Sequence, residues 1–165
     1  MRRHTVSTFF LVLLLVLSAS ELKAGPFRLT LTDNWLTPTF GVGQLPGGAG
    51  SGFTWASAVN AALLRIRNIT TIPPQTGWNI TVRKVDIAWN AGLRVSVQRT
   101  GVGTGTAVLS GGLSYVLITG TDTFFFRGVG GDRRDIPLQY QITGMAAPVG
   151  VGTFSTTIWY TATEY

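Results

Sequence analysis

Cysteine is missing from this 165-residue chain altogether. That excludes disulfides, thiolate metal sites, a cysteine nucleophile and a lipid anchor on cysteine. Histidine occurs once, as His4, ahead of an apolar run that reads as a removable leader. Without it the chain lacks the commonest general base and the commonest metal ligand, and most hydrolase chemistry goes with them. Charge is sparse too. Asp, Glu, Lys and Arg make up 12% of residues, about half the usual one-quarter, which argues against a disordered or nucleic-acid-coating chain.

The one long apolar run follows a basic start, Met1-Arg2-Arg3-His4. Residues 9–17 (Phe-Phe-Leu-Val-Leu-Leu-Leu-Val-Leu) lead into Ser18-Ala19-Ser20. Nine apolar residues are too few for a spanning helix, which needs about 20, but they suit a secretory leader. Small residues at 18 and 20 place cleavage after Ser20, with Ala24 as the second choice. The later sequence holds no run long enough to span a bilayer as a helix. Removal of Arg2 and Arg3 leaves 11 basic and 7 acidic side chains, a net of +4. The expected localisation is secreted: periplasm in transit, then the cell surface or the medium.

Beyond the leader the dominant period is two. Phe27, Leu29 and Leu31 alternate with Arg28, Thr30 and Thr32. The same alternation runs through Trp78, Ile80 and Val82, then Val85, Ile87 and Trp89, and through Leu93, Val95 and Val97. It returns at Tyr115, Leu117 and Thr119, at Ile136, Leu138, Tyr140 and Ile142, and at Phe154, Thr156, Ile158, Tyr160 and Ala162. Such runs, separated by glycine- and proline-rich turns, predict strands half-buried on one face. The expected fold is all-β: an antiparallel β-sandwich, immunoglobulin-like or pilin-like, of about seven to nine strands. Pro137 is expected at an edge or a strand start. Residues 55–61 read as a short helix or turn, followed by a strand over 63–69. The glycine-rich residues 41–52 read as a tether. The chain thus divides into a leader (1–20), an N-terminal extension or first strand with its tether (21–52), and a sandwich domain (53–165).

Few residues offer chemistry. Asp132 and Asp135 flank Arg133-Arg134, and two guanidinium groups beside a would-be calcium ion favour a self-compensated loop. Arg65, Arg67, Arg83, Arg94 and Arg99 fall on strands and read as a solvated face protecting the sheet from edge association. No catalytic residue, cofactor or metal is expected, and the chain is read as non-enzymatic. Of the five tryptophans, Trp159 stands out as a candidate exposed aromatic because it lies on the polar register of the last strand.

The last fourteen residues, Gly152-Thr-Phe-Ser-Thr-Thr-Ile-Trp-Tyr-Thr-Ala-Thr-Glu-Tyr165, combine a glycine, an alternating strand and an aromatic finish. They resemble the C-terminal strand of chaperone–usher pilins and of spore-coat-protein-U-type secreted subunits. The resemblance implies an incomplete sandwich lacking one strand, completed by a neighbour's N-terminal extension. It implies a terminal assembly strand marked by Gly152, Phe154, Ile158, Tyr160 and Tyr165. It also implies a donor strand with Phe27, Leu29 and Leu31 as pocket-filling side chains; the alternative is that this segment is the first strand of its own sandwich. The expected function is a structural subunit of a surface filament or coat, self-associating into a homopolymer, with a periplasmic chaperone and usher as transit partners. The alternative is a secreted carbohydrate-binding sandwich presenting Trp159, Tyr115 or Tyr140 to a glycan. Nucleic acid and a membrane span after leader removal are not expected.

Overall fold

The computed structural model describes residues 10–17, 27–32, 35–41, 53–68, 77–145 and 152–164. Fourteen strand segments occupy them: β1 (Phe10–Leu17), β2 (Phe27–Thr32), β3 (Trp35–Leu36), β4 (Thr39–Gly41), β5 (Phe53–Ala56), β6 (Ala62–Asn68), β7 (Gly77–Ala88), β8 (Arg94–Arg99), β9 (Thr104–Gly105), β10 (Val108–Gly111), β11 (Val116–Leu117), β12 (Thr123–Val129), β13 (Arg133–Met145) and β14 (Thr153–Glu164). Eight of them are six residues or longer; of these β1 and β12 lie outside the alternating runs, and the run at Tyr115 to Thr119 holds only the two-residue β11. Among the described residues no helix is long and apolar enough to cross a membrane.

The strands form two sheets. One runs β10-β12-β7-β14-β1-β3, with β4 beside β3 on β1; the other runs β11-β8-β13-β6-β2, with β5 and β9 also on β13. Every pairing among the described strands is antiparallel except β1 with β14. A single core lies between the sheets. Ile80, Val82, Ile158 and Tyr160 face it from the first; Leu64, Ile66, Val95, Val97, Leu138, Tyr140 and Ile142 face it from the second. The hydroxyls of Tyr140 and Tyr160 meet across that core at 2.8 Å, so each buried polar tip satisfies the other.

Several expectations change on contact with the fold. The helix or turn expected over 55–61 is a strand, β5, followed by a turn: Trp55 stands opposite Ile142 of β13, and cross-strand pairing overrides the helical spacing. Pro137 is neither at an edge nor at a strand start. It lies inside β13, a central strand, one residue before the ladder to β8 begins at Leu138↔Arg99, and next to an irregularity between Arg133 and Ile136. Such irregularities are where a sheet tolerates a missing N–H. Arg99 leaves the solvated face altogether. It shares the register of Val95 and Val97, points inward and is 3% exposed. Its Nε donates to Gly111 O at 2.5 Å and its Nη1 to Gly101 O at 3.2 Å. Burial, then the neighbouring Arg133 charge, lowers its pKa.

The Phe124-Phe125-Phe126 run breaks alternation for a visible reason. The ladder to β7 slips between Phe124 and Phe126, so Phe125 and Phe126 are both buried while Phe124 stays exposed. Their rings meet edge to face, centroids 4.9 Å apart at 76°, a favoured aromatic geometry. In β7 the register persists past Val82, which leaves Val85 and Ile87 on the outer face.

Candidate assembly strand

β14 is the longest uninterrupted match to the alternating pattern, and its geometry follows from it. Thr156, Ile158, Tyr160 and Ala162 are buried, while Thr157, Trp159 and Thr161 project from the other face. On one side β14 pairs with β7 along Ser155 to Glu164. On its other side the described partner is β1 alone, in parallel register from Val12↔Thr153 to Leu17↔Ile158. β1 in turn is bridged on its far side by β3 (Leu15↔Leu36, Val16↔Trp35) and β4 (Phe10↔Gly41 to Val12↔Thr39). The segment read in sequence as the core of a leader therefore occupies an interior position of the first sheet, between two strand edges. A short apolar run also has the length of a strand, a reading that the basic start and the small residues at 18 and 20 displace.

The end of β14 beside β1 carries a polar cluster. The Thr156 hydroxyl, fully buried, contacts Val85 O at 3.1 Å and Asp86 Oδ1 at 2.8 Å. The Lys84 ammonium pairs with the same carboxylate at 2.5 Å and lies 5.4 Å from the centroid of the Trp89 ring. A slip in the ladder between Ser155 and Thr156 places Asp86 opposite Thr156. Lys84 and Asp86 carry opposite charges, and the Thr156 hydroxyl ties β14 to β7.

The residues singled out in sequence distribute as follows. Ile158 and Tyr160 are in the core, Phe154 packs against it partly buried, and Gly152 stands at the bend before β14. Tyr165 lies outside the described residues, as does the glycine-rich segment from residue 42 to 52. Phe27, Leu29 and Leu31 belong to β2, paired within the chain to β6 through Phe27↔Asn68, Leu29↔Ile66 and Leu31↔Leu64. Leu29 is buried and Leu31 packs against the core. Trp159 is half-buried on the outer face, its ring 5.9 Å from the Arg83 guanidinium carbon and its Nε1 buried without a hydrogen-bond partner among the described residues. The aromatics of the glycan alternative do not come together. Tyr140 is in the core, Trp159 is on the outer face of the first sheet, and Tyr115 precedes β11 of the second.

The acids near residue 133 are neutralised differently from the sequence expectation. Asp135 pairs with Arg65 of β6 at 2.6 Å, across the sheet, while Asp132 lies 3.8 Å from its near neighbour Arg134. Comparison with protein-family models and with characterised proteins returns no match for this sequence.

Proposed function

We infer that the chain is a secreted, non-enzymatic structural subunit of a surface filament or coat that assembles by β-strand addition. The observation that supports this reading is the position of β1. β14, the strand that resembles a pilin assembly strand, has its second edge covered along Thr153 to Ile158 by residues 10–17, which carry the pattern of a secretory leader. A subunit exported without those residues presents an unpaired strand edge on a sandwich, and an unpaired edge is a template for a strand from another chain. Main-chain hydrogen bonds then supply affinity, and the alternate side chains of the incoming strand supply specificity. A chaperone and usher would fit such a subunit as transit partners, since an open edge needs cover until it is filled.

The test is the oligomeric state of residues 21–165 by size-exclusion chromatography with light scattering across concentration, followed by filament imaging. Concentration-dependent oligomers are expected; a monomer at every concentration sinks the subunit reading and gives the lead to a binding module. The donor is identified separately. The chain has no cysteine, so one pool carrying Thr30→Cys and another carrying Thr157→Cys form a mixed disulfide only when β2 of one chain enters beside β14 of another.

A further inference from the structure

β1 makes the one parallel ladder among the described strands, to β14, and is paired on its other side with β3 and β4. Its sequence also carries the marks of a segment that is cut away: a basic start, an apolar run and small residues at 18–20. Taking an interior strand out of a sheet leaves two facing edges roughly two strand spacings apart, about 9.5 Å. Each edge then holds backbone groups that lack partners, a cost of about 1–3 kcal/mol for every group that stays buried. The two-residue β3 and three-residue β4 are too short to persist without the strand they lean on.

We propose that the precursor is plugged in cis: residues 10–17 fill the strand position beside β14, and their release after processing is the step that makes the subunit competent to assemble. This rests on the subunit reading above. The covalent event is hydrolysis of the Ser20–Glu21 peptide bond by a processing endopeptidase. Water adds a hydroxyl to the Ser20 carbonyl carbon and a proton to the Glu21 nitrogen, and no other reactant is needed. Before the cut, residues 18–26 tether β1 to β2, so the plug meets its slot at an effective concentration of the order of millimolar. After the cut the same eight-residue strand is a dilute, separate peptide, and a strand supplied by a second copy replaces it. The contacts are unchanged; what falls is the local concentration of the plug. Unprocessed chains therefore stay apart, and only processed ones associate.

The experiment keeps the whole chain. The full sequence with a site-specific endoprotease sequence inserted between Ser20 and Glu21 is refolded from denaturant, then cut. Size and bound peptide are followed by light scattering and mass spectrometry. The uncut protein is expected as a monomer. The cut protein should lose residues 1–20 on dilution and then associate. A synthetic peptide of residues 10–17 with terminal lysines, added at millimolar concentration, should return it to monomer, and the same peptide carrying Leu15→Pro should not. Leu15 stands opposite both Thr156 and Leu36, so a proline there interrupts the ladder. Cut and uncut proteins that elute and melt alike after the peptide has gone would overturn the plug, as would equal rescue by the proline peptide. The presence of residues 10–17 in the assembled, secreted material would overturn it as well. A cut chain that rebinds the peptide but never associates upholds the plug and defeats the subunit reading, so the two can fail separately.

Discussion

At the scale of single residues, the cross-core tyrosine pair and one glycine carry the clearest consequences. Tyr140 and Tyr160 hydroxyls satisfy each other in a site closed to water. Removing one hydroxyl strands the other, so Tyr160→Phe should cost about 1–3 kcal/mol, while the double change to phenylalanine should be closer to neutral. Denaturant midpoints of the three variants check this. Burial raises the pKa of Tyr140, against the opposing hydrogen bond from Tyr160. Burial first, and then the partner's charge and hydrogen bond, raise that of Tyr160. Below pH about 10 both folded and unfolded chains keep these protons, and the pair adds no pH dependence. Above it the unfolded chain releases them and the folded chain does not, so stability falls as pH rises. The double phenylalanine variant should lose less stability between pH 9 and 11 than the parent. Gly128 is a steric case: a Cβ there would stand 2.2 Å from the ring of Trp78, which is fully buried and edge-on to Phe126 at 6.0 Å. Gly128→Ala should therefore destabilise by about 1–3 kcal/mol, a fall in Tm of roughly 2–12 °C.

At the scale of the element, period two named most of the long strands, because each buries one face: β2, β7, β8, β13 and β14 coincide with the alternating runs. It failed where the ladder does something that alternation cannot encode. The slip opposite β7 turns Phe125 and Phe126 inward together. Trp55 satisfies helical spacing yet pairs with β13, because its partner is more than eighty residues away in sequence. Arg99 was legible in parity, two residues after Val97, but a charged residue reads as solvated until the carbonyls of Gly101 and Gly111 appear around it. β14 was visible as an element, whereas its partner β1 was hidden because an apolar run near an N-terminus reads as a leader first. For β2, the pairing Thr30↔Arg65 gives a direct test. Opposite residues of an antiparallel pair lie within disulfide range, so Thr30→Cys with Arg65→Cys should close within one chain on mild oxidation of the full-length protein. The oxidised form then locks β2 to β6. If β2 is the donor, the bond abolishes assembly of residues 21–165 and reduction restores it; undiminished assembly of the locked form assigns donation to another segment.

At the scale of the whole molecule, the two sheets share one core but do not depend equally on β1. The first sheet reaches seven strands only through it; without it the hydrogen-bonded path is β10-β12-β7-β14, and β3 and β4 lose their described partner. The second sheet, with its central β13 paired to β5, β6, β8 and β9, makes no ladder with β1. Losing residues 1–20 should therefore loosen one region and spare the rest, since local opening free energies range from near zero at an unpaired edge up to the global value in core strands. Amide hydrogen exchange of the full chain and of residues 21–165, both measured dilute, makes the contrast. Amides of Thr153 to Ile158 that face β1, and those of β3 and β4, should exchange rapidly in the shorter chain, while β7, β8, β12 and β13 keep their protection. At concentrations where the shorter chain associates, protection should return to Thr153 to Ile158 as an incoming strand takes up the same hydrogen bonds. Full protection there in a dilute monomer of residues 21–165 means that another segment of the same chain covers β14. The sandwich would then be complete in itself, with no open edge for assembly to use.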